Sequence, residues 1–136
     1  MNCKRKTIEE LLEMPYWVID ILPKQVPEHG PGQYFKVEDY FLNSQLDAIK
    51  QKLINVVLKL NCYADLSLED EAEVNPDPER IVAAIRSRYV NIRAGDALIT
   101  SDKDDTCMAV FNADAQLLDL VQKLAASEGL FVWKND

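Results

Sequence analysis

The stretch Ser44–Leu60 limits what this chain can fold into more than any other part of it. Leu46, Ile49, Leu53, Val56, Val57 and Leu60 recur at spacings of three and four, which lines six apolar side chains along one stripe of a helix. Ser44 stands where an N-cap belongs, and Asp47 supplies an acid to the first turn. Asp47, Lys50, Gln51 and Asn55 fall mostly elsewhere on the helix. Burying six such side chains is worth about 10 kcal/mol gross, before ordering entropy is subtracted. The stripe must therefore lie on a sheet or on another helix.

The rest of the chain offers that sheet. Tyr16–Leu22 is rich in aromatic and β-branched residues, and both of its alternating faces are mostly apolar. That pattern predicts a strand inside a sheet rather than at its rim. Tyr34–Val37 is read as extended, with a helical turn over Glu38–Leu42. Further strands are expected within Cys62–Leu68, Tyr89–Arg93 and Leu130–Trp133. Ala97–Thr100 and Thr106–Asn112 form a hairpin across Ser101–Asp105. Helices are punctuated by a capping box at Thr7 and Glu10, by Asp77 before Pro78, and by Asp114, with Gly129 as a left-handed stop. The first should run to about Met14, ahead of Pro15. Strand, helix and strand over 106–133 read as a right-handed crossover. Together these predict one α+β domain over residues 1–136: a two-layer sandwich with a mixed or antiparallel sheet of about five strands and helices packed on it.

Charge narrows the partners. The net charge of −8 repels phosphate backbones and anionic lipid surfaces, so neither nucleic acid nor membrane is expected. A basic protein partner fits it. Glu9, Glu10 and Glu13 interrupt the place where a signal-peptide core would run after Lys4, Arg5 and Lys6, and no stretch is long and apolar enough to span a bilayer. A cytoplasmic protein is expected. Cys3, Cys62 and Cys107 are odd in number and scattered, which argues against a disulfide framework.

Four segments carry a resemblance: Pro15–Pro23, Gly32-Gln33-Tyr34-Phe35, Lys59-Leu60-Asn61-Cys62-Tyr63 and Gly129–Lys134. They make most of the chain look like a group of small single-domain bacterial proteins of unknown function. The resemblance implies a single domain and carries no activity, cofactor or partner.

The chemical inventory is thin. One histidine and three scattered cysteines supply no zinc-ligand pair, and no cofactor or metal is expected. Asp102, Asp104 and Asp105 lack the glycine and distal glutamate of a calcium loop, so they read as a solvated hairpin tip. Cys107 sits mid-strand among apolar residues and reads as a buried hydrophobe, not a catalytic thiolate. No catalytic residue is assigned. The aromatic distribution is more uneven: six of eleven aromatics fall within residues 16–41, and such residues dominate interface energetics. These features predict a non-enzymatic interaction module. Its binding residues would be Tyr34, Phe35, Tyr40 and Phe41, with Glu69, Asp70, Glu71 and Glu73 orienting a basic partner. The alternative is a small-molecule-binding protein or small enzyme. Its pocket would lie beneath the proline-rich loop 23–32, with Asp20, His29 and Tyr34 as polar groups. Self-association into a homodimer is a third expectation, through Leu130–Trp133 if that strand lies at a sheet edge.

Overall fold

The computed structural model describes residues 6–69 and 71–135. Six strands pair in the order β2-β3-β4-β5-β1-β6, where β1 is Tyr16–Asp20, β2 Leu66–Leu68, β3 Val90–Ala94, β4 Ala97–Ser101, β5 Met108–Phe111 and β6 Phe131–Asn135. Every neighbouring pair is antiparallel. The α+β reading holds, with six strands in place of about five. β1 lies inside the sheet between β5 and β6, as its two apolar faces required. The crossover from β5 to β6 steps over β1, so those two strands are not neighbours.

The register assigns each side chain to a face. Ile92, Ile99, Val110 and Ile19 point to one side. There they pack with Leu53, Val57 and Leu60 of α3 (Leu46–Leu60), Ile81 and Ile85 of α4 (Pro78–Ser87), and Val121 and Ala125 of α5 (Ala115–Ser127). This is the sheet that the amphipathic stripe required. The opposite face carries no long helix. At one end of it α1 (Ile8–Leu11) presses the fully buried Leu11 onto Leu98 and Phe111. Arg93 ties the preceding chain down by donating from Nη2 to the Lys6 carbonyl at 2.7 Å.

The local signals hold unevenly. Thr7 Oγ1 accepts from the Glu10 amide at 3.1 Å while Glu10 Oε1 accepts from the Thr7 amide at 3.0 Å, a complete capping box. The helix it starts ends at Leu11, short of Met14. Asp114 accepts from the Leu117 amide at 2.8 Å. Asp77 holds the N-cap position before Pro78 but makes no side-chain cap bond. Gly129 stops α5 at φ 75°, a left-handed conformation that costs glycine little.

Residues 34–44 correct the sequence reading. Tyr34–Val37 is not a strand but the first turn of an 11-residue helix, α2 (Tyr34–Ser44). Tyr34, Val37, Glu38 and Phe41 recur at helical spacing and face Ile21 and Leu22 around a small hollow. Tertiary contact on that stripe overrides the extended preference of aromatic and β-branched residues. Ser44 is correspondingly not an N-cap. Its hydroxyl donates back to the Tyr40 carbonyl at 2.6 Å and closes α2, and the chain breaks at Gln45 (φ −125°, ψ 3°) before α3 begins.

Candidate functional site

The helix-free face of the sheet is only partly covered, and the uncovered part is a cleft of about 450 Å³. Its floor crosses five strands or their ends: Tyr89, Thr100, Cys107 and Ala109, then Tyr16, Val18 and Asp20, then Trp133 and Asn135. Val18 pairs with Ala109 on one side and Trp133 on the other, so strand alternation brings these side chains to one surface. Leu22, Lys24, Gln25, Val26 and Tyr34 form the roof on the β4–β5 hairpin side. The chain after β1 carries the first four there, and the first turn of α2 carries Tyr34.

Three acidic residues line the cleft, Asp20, Asp102 and Asp105, and Lys24 is a further lining residue. Asp20 Oδ1 accepts from the Ile21 amide at 2.7 Å, and Oδ2 accepts from the Trp133 indole at 3.3 Å. Burial nevertheless holds this carboxyl above its ordinary range, against those hydrogen bonds. Asp105 is raised in the same way, by burial and then by neighbouring Asp102, with the ammonium of Lys50 pulling it back. Tyr34 donates its phenol proton to Glu38 Oε2 at 2.6 Å, and that bond pushes its own ionisation upward. Cys107 is pushed up to about 12, first by burial and then by Asp20 and Asp105. The thiol is therefore protonated at neutral pH and is a poor nucleophile. Among the described residues, no group of three His, Cys, Asp or Glu side chains is gathered closely enough to hold a metal ion.

The residues singled out from sequence separate into distinct places. Asp20 and Tyr34 come together in the cleft, whereas His29 is exposed on the loop and lines neither the cleft nor the neighbouring hollow. On α2, Phe35 and Tyr40 point to solvent, 75% and 61% exposed, and Phe41 packs against the core. The acidic loop is engaged with its own chain. Glu69 pairs with Arg88 at 2.7 Å and also binds the Asn91 amide nitrogens. Glu71 pairs with Arg80 at 3.2 Å, and Glu73 pairs with the same guanidinium. Asp70 lies outside the described residues. Sequence reading missed Tyr16, Tyr89, Asp102, Asp105 and Trp133 as companions of Asp20. The available signal was the acid at the end of the Tyr16-Val18-Asp20 face, on an otherwise apolar surface.

Compared with known proteins, the chain matches no family model, no curated protein and no solved structure. Fold and site alone define its class: an α+β protein with helices on one face of an antiparallel sheet and an acidic, aromatic cleft on the other. No helix among the described residues is long and apolar enough to cross a membrane.

Proposed function

We propose that this protein is a binding module, not an enzyme, and that its cleft receives a positively charged side chain of a basic protein partner. The observation that carries this reading is the lining. Asp20, Asp102 and Asp105 stand among Tyr16, Tyr34, Tyr89 and Trp133. Carboxylates supply charge, and aromatic rings attract cations through their quadrupoles, which favours a guanidinium or ammonium group. Among the described residues no three His, Cys, Asp or Glu side chains are gathered to hold a metal ion, whereas carboxylates set among aromatic rings suit an organic cation. Beside the cleft, Phe35 and Tyr40 offer apolar contact area to the body of the same partner. The protonated state of Cys107 argues against thiol chemistry here. The exposed free thiol of Cys62 suits a reducing compartment, which supports placing the interaction in the cytosol.

The test is a residue-resolved NMR titration with a hexa-arginine peptide, with a hexa-glutamate peptide as control. Shifts at Asp20, Tyr34 and Trp133 are expected with the basic peptide only. Asp20→Asn combined with Asp105→Asn should weaken binding at least about tenfold. Phe35→Ala should weaken binding of a longer basic protein ligand more than that of the short peptide. Hexa-arginine shifts centred on residues 69–77, or affinity untouched by the double substitution, would remove the cleft from consideration.

A further inference from the structure

The two edges of the sheet are finished differently. On the β2 edge the chain's own Asn75 stands in for a neighbouring strand. Its backbone N–H donates to the Leu66 carbonyl at 2.7 Å, and its side-chain Oδ1 accepts from the Leu66 amide at 3.0 Å. Asn61 and Asp65 hold that side chain in place at 2.9 Å each. The outward polar groups of Leu66 are therefore already satisfied. At the other edge, β6 is five residues long and pairs only with β1. Among the described residues, no hydrogen bond beyond that ladder reaches the β6 backbone. Phe131, at the start of the strand, is 45% exposed. A bare edge of this length is a template for another strand.

We propose that the occupant of this edge is a second copy of the chain, bound antiparallel through β6 about a twofold axis at Trp133. That axis sets the middle residue against itself, so all five residues find partners. On the helix-free face Trp133 meets Trp133 of the other copy, and Phe131 meets Asn135. On the helix face Val132 meets Lys134. No like charges fall opposite one another, and an aromatic pair sits at the centre, the kind of cross-strand pair that stabilises a sheet. The strand is thus complementary to itself, as an isologous contact requires. Because Asn75 blocks the other edge, addition stops at two copies and gives no fibre.

Topology also answers the charge objection. Two chains of −8 each repel, but the acid-rich 69–77 segment follows β2, at the far edge from β6. With strands spaced by about 4.8 Å, the two acidic segments end up roughly 50 Å apart, well beyond the screening length at physiological salt. Pairing also widens the cleft floor, since Trp133 and Asn135 already line it and the second copy's β6 would lie beside them. The proposal is independent of what the cleft binds.

Sedimentation of the intact chain from 10 µM to 1 mM, at low and at half-molar sodium chloride, tests it. A monomer–dimer equilibrium that tightens several-fold in the higher salt is expected, with amide exchange slowed in β6 only where dimer forms. Phe131→Glu should weaken dimerisation at least tenfold. Lys134→Glu, placed against Val132 across the axis, serves if the first variant does not fold, and should weaken it in low salt. A chain that stays monomeric throughout would overturn the proposal, and that is also the outcome if the edge is reserved for a strand of another protein. So would a dimer whose β6 amides exchange as in the monomer, or one indifferent to a folded edge variant.

Discussion

Lys50 is 3% exposed on the helix side of the sheet, and its ammonium donates to the Ser101 hydroxyl and the Asp102 carbonyl. Burial lowers its pKa from the ordinary 10.5, and the acids of the hairpin tip, Asp105 foremost, partly restore it. Between that lowered value and 10.5 the folded chain binds fewer protons than the unfolded chain. The residue's contribution to stability therefore rises as pH climbs through that interval. Lys50→Met keeps the volume and removes the buried charge, so unfolding in urea should show it within about 1 kcal/mol of the parent or more stable. Lys50→Ala leaves a void and should cost about 2–3 kcal/mol. From sequence this lysine reads as part of the solvated helix face, because nothing local tells it that the 102–105 tip folds over it. Cys107 behaves oppously to a reactive thiol: with a pKa of about 12, its alkylation at pH 8 should run on the order of 100-fold slower than that of an ordinary exposed thiol. Peptide mapping after iodoacetamide treatment reads this directly, with the exposed Cys62 labelled ahead of Cys107.

At the level of elements, the break at Gln45 divides two helices of different character. α3 buries seven of its residues, whereas α2 buries none completely. Phe35→Ala and Tyr40→Ala should each shift stability by less than about 0.5 kcal/mol, while Phe41→Ala, which packs on the core, should cost more than about 1 kcal/mol. Thermal melts of the three variants check this ordering. The plug at the β2 edge is a second local device. Asn75 sits at φ 57° and satisfies both polar groups of Leu66. Asn75→Ala keeps the backbone bond to the Leu66 carbonyl but loses the Oδ1 bond to the Leu66 amide and the side-chain bonds to Asn61 and Asp65. It also places a less tolerant residue in a left-handed conformation, for an expected cost of about 2 kcal/mol by urea unfolding. The capping box at Thr7 and Glu10 was legible because it is a contact over three residues. Asn75 was not, because its partners lie at positions 61, 65 and 66.

Across the whole molecule, the cleft is a product of strand order. Tyr16, Tyr89, Thr100, Cys107 and Trp133 are far apart in the chain and adjacent only because the sheet runs β3-β4-β5-β1-β6. Asp20 and Asp105 are both held above the ordinary carboxylate range, by burial first. On acidification they therefore neutralise earlier than free aspartates do. Affinity for hexa-arginine should accordingly start to fall at a higher pH than ordinary aspartates would give as the solution is acidified from pH 7, and should weaken with added salt. Isothermal titration at stepped pH measures this. Dimerisation through β6 should respond to salt in the opposite direction, which keeps the two behaviours separable.

Periodicity, caps and turn residues are short-range properties, and they sufficed for most of the helix expected over 44–60, which begins at Leu46, for the interior position of β1, the hairpin expected from 97–100 and 106–112, and the two-layer α+β class. Which strands become neighbours, which edge is plugged, and which acids share a cleft with which aromatics depend on contacts between residues tens of positions apart. Those contacts form only when loop closure and core packing select one strand order, and no local pattern encodes that selection. Tyr34–Val37 shows the same limit within a single segment. Its extended preference is worth less than the contacts that one helical stripe makes with Ile21 and Leu22, and those contacts exist only in the folded chain.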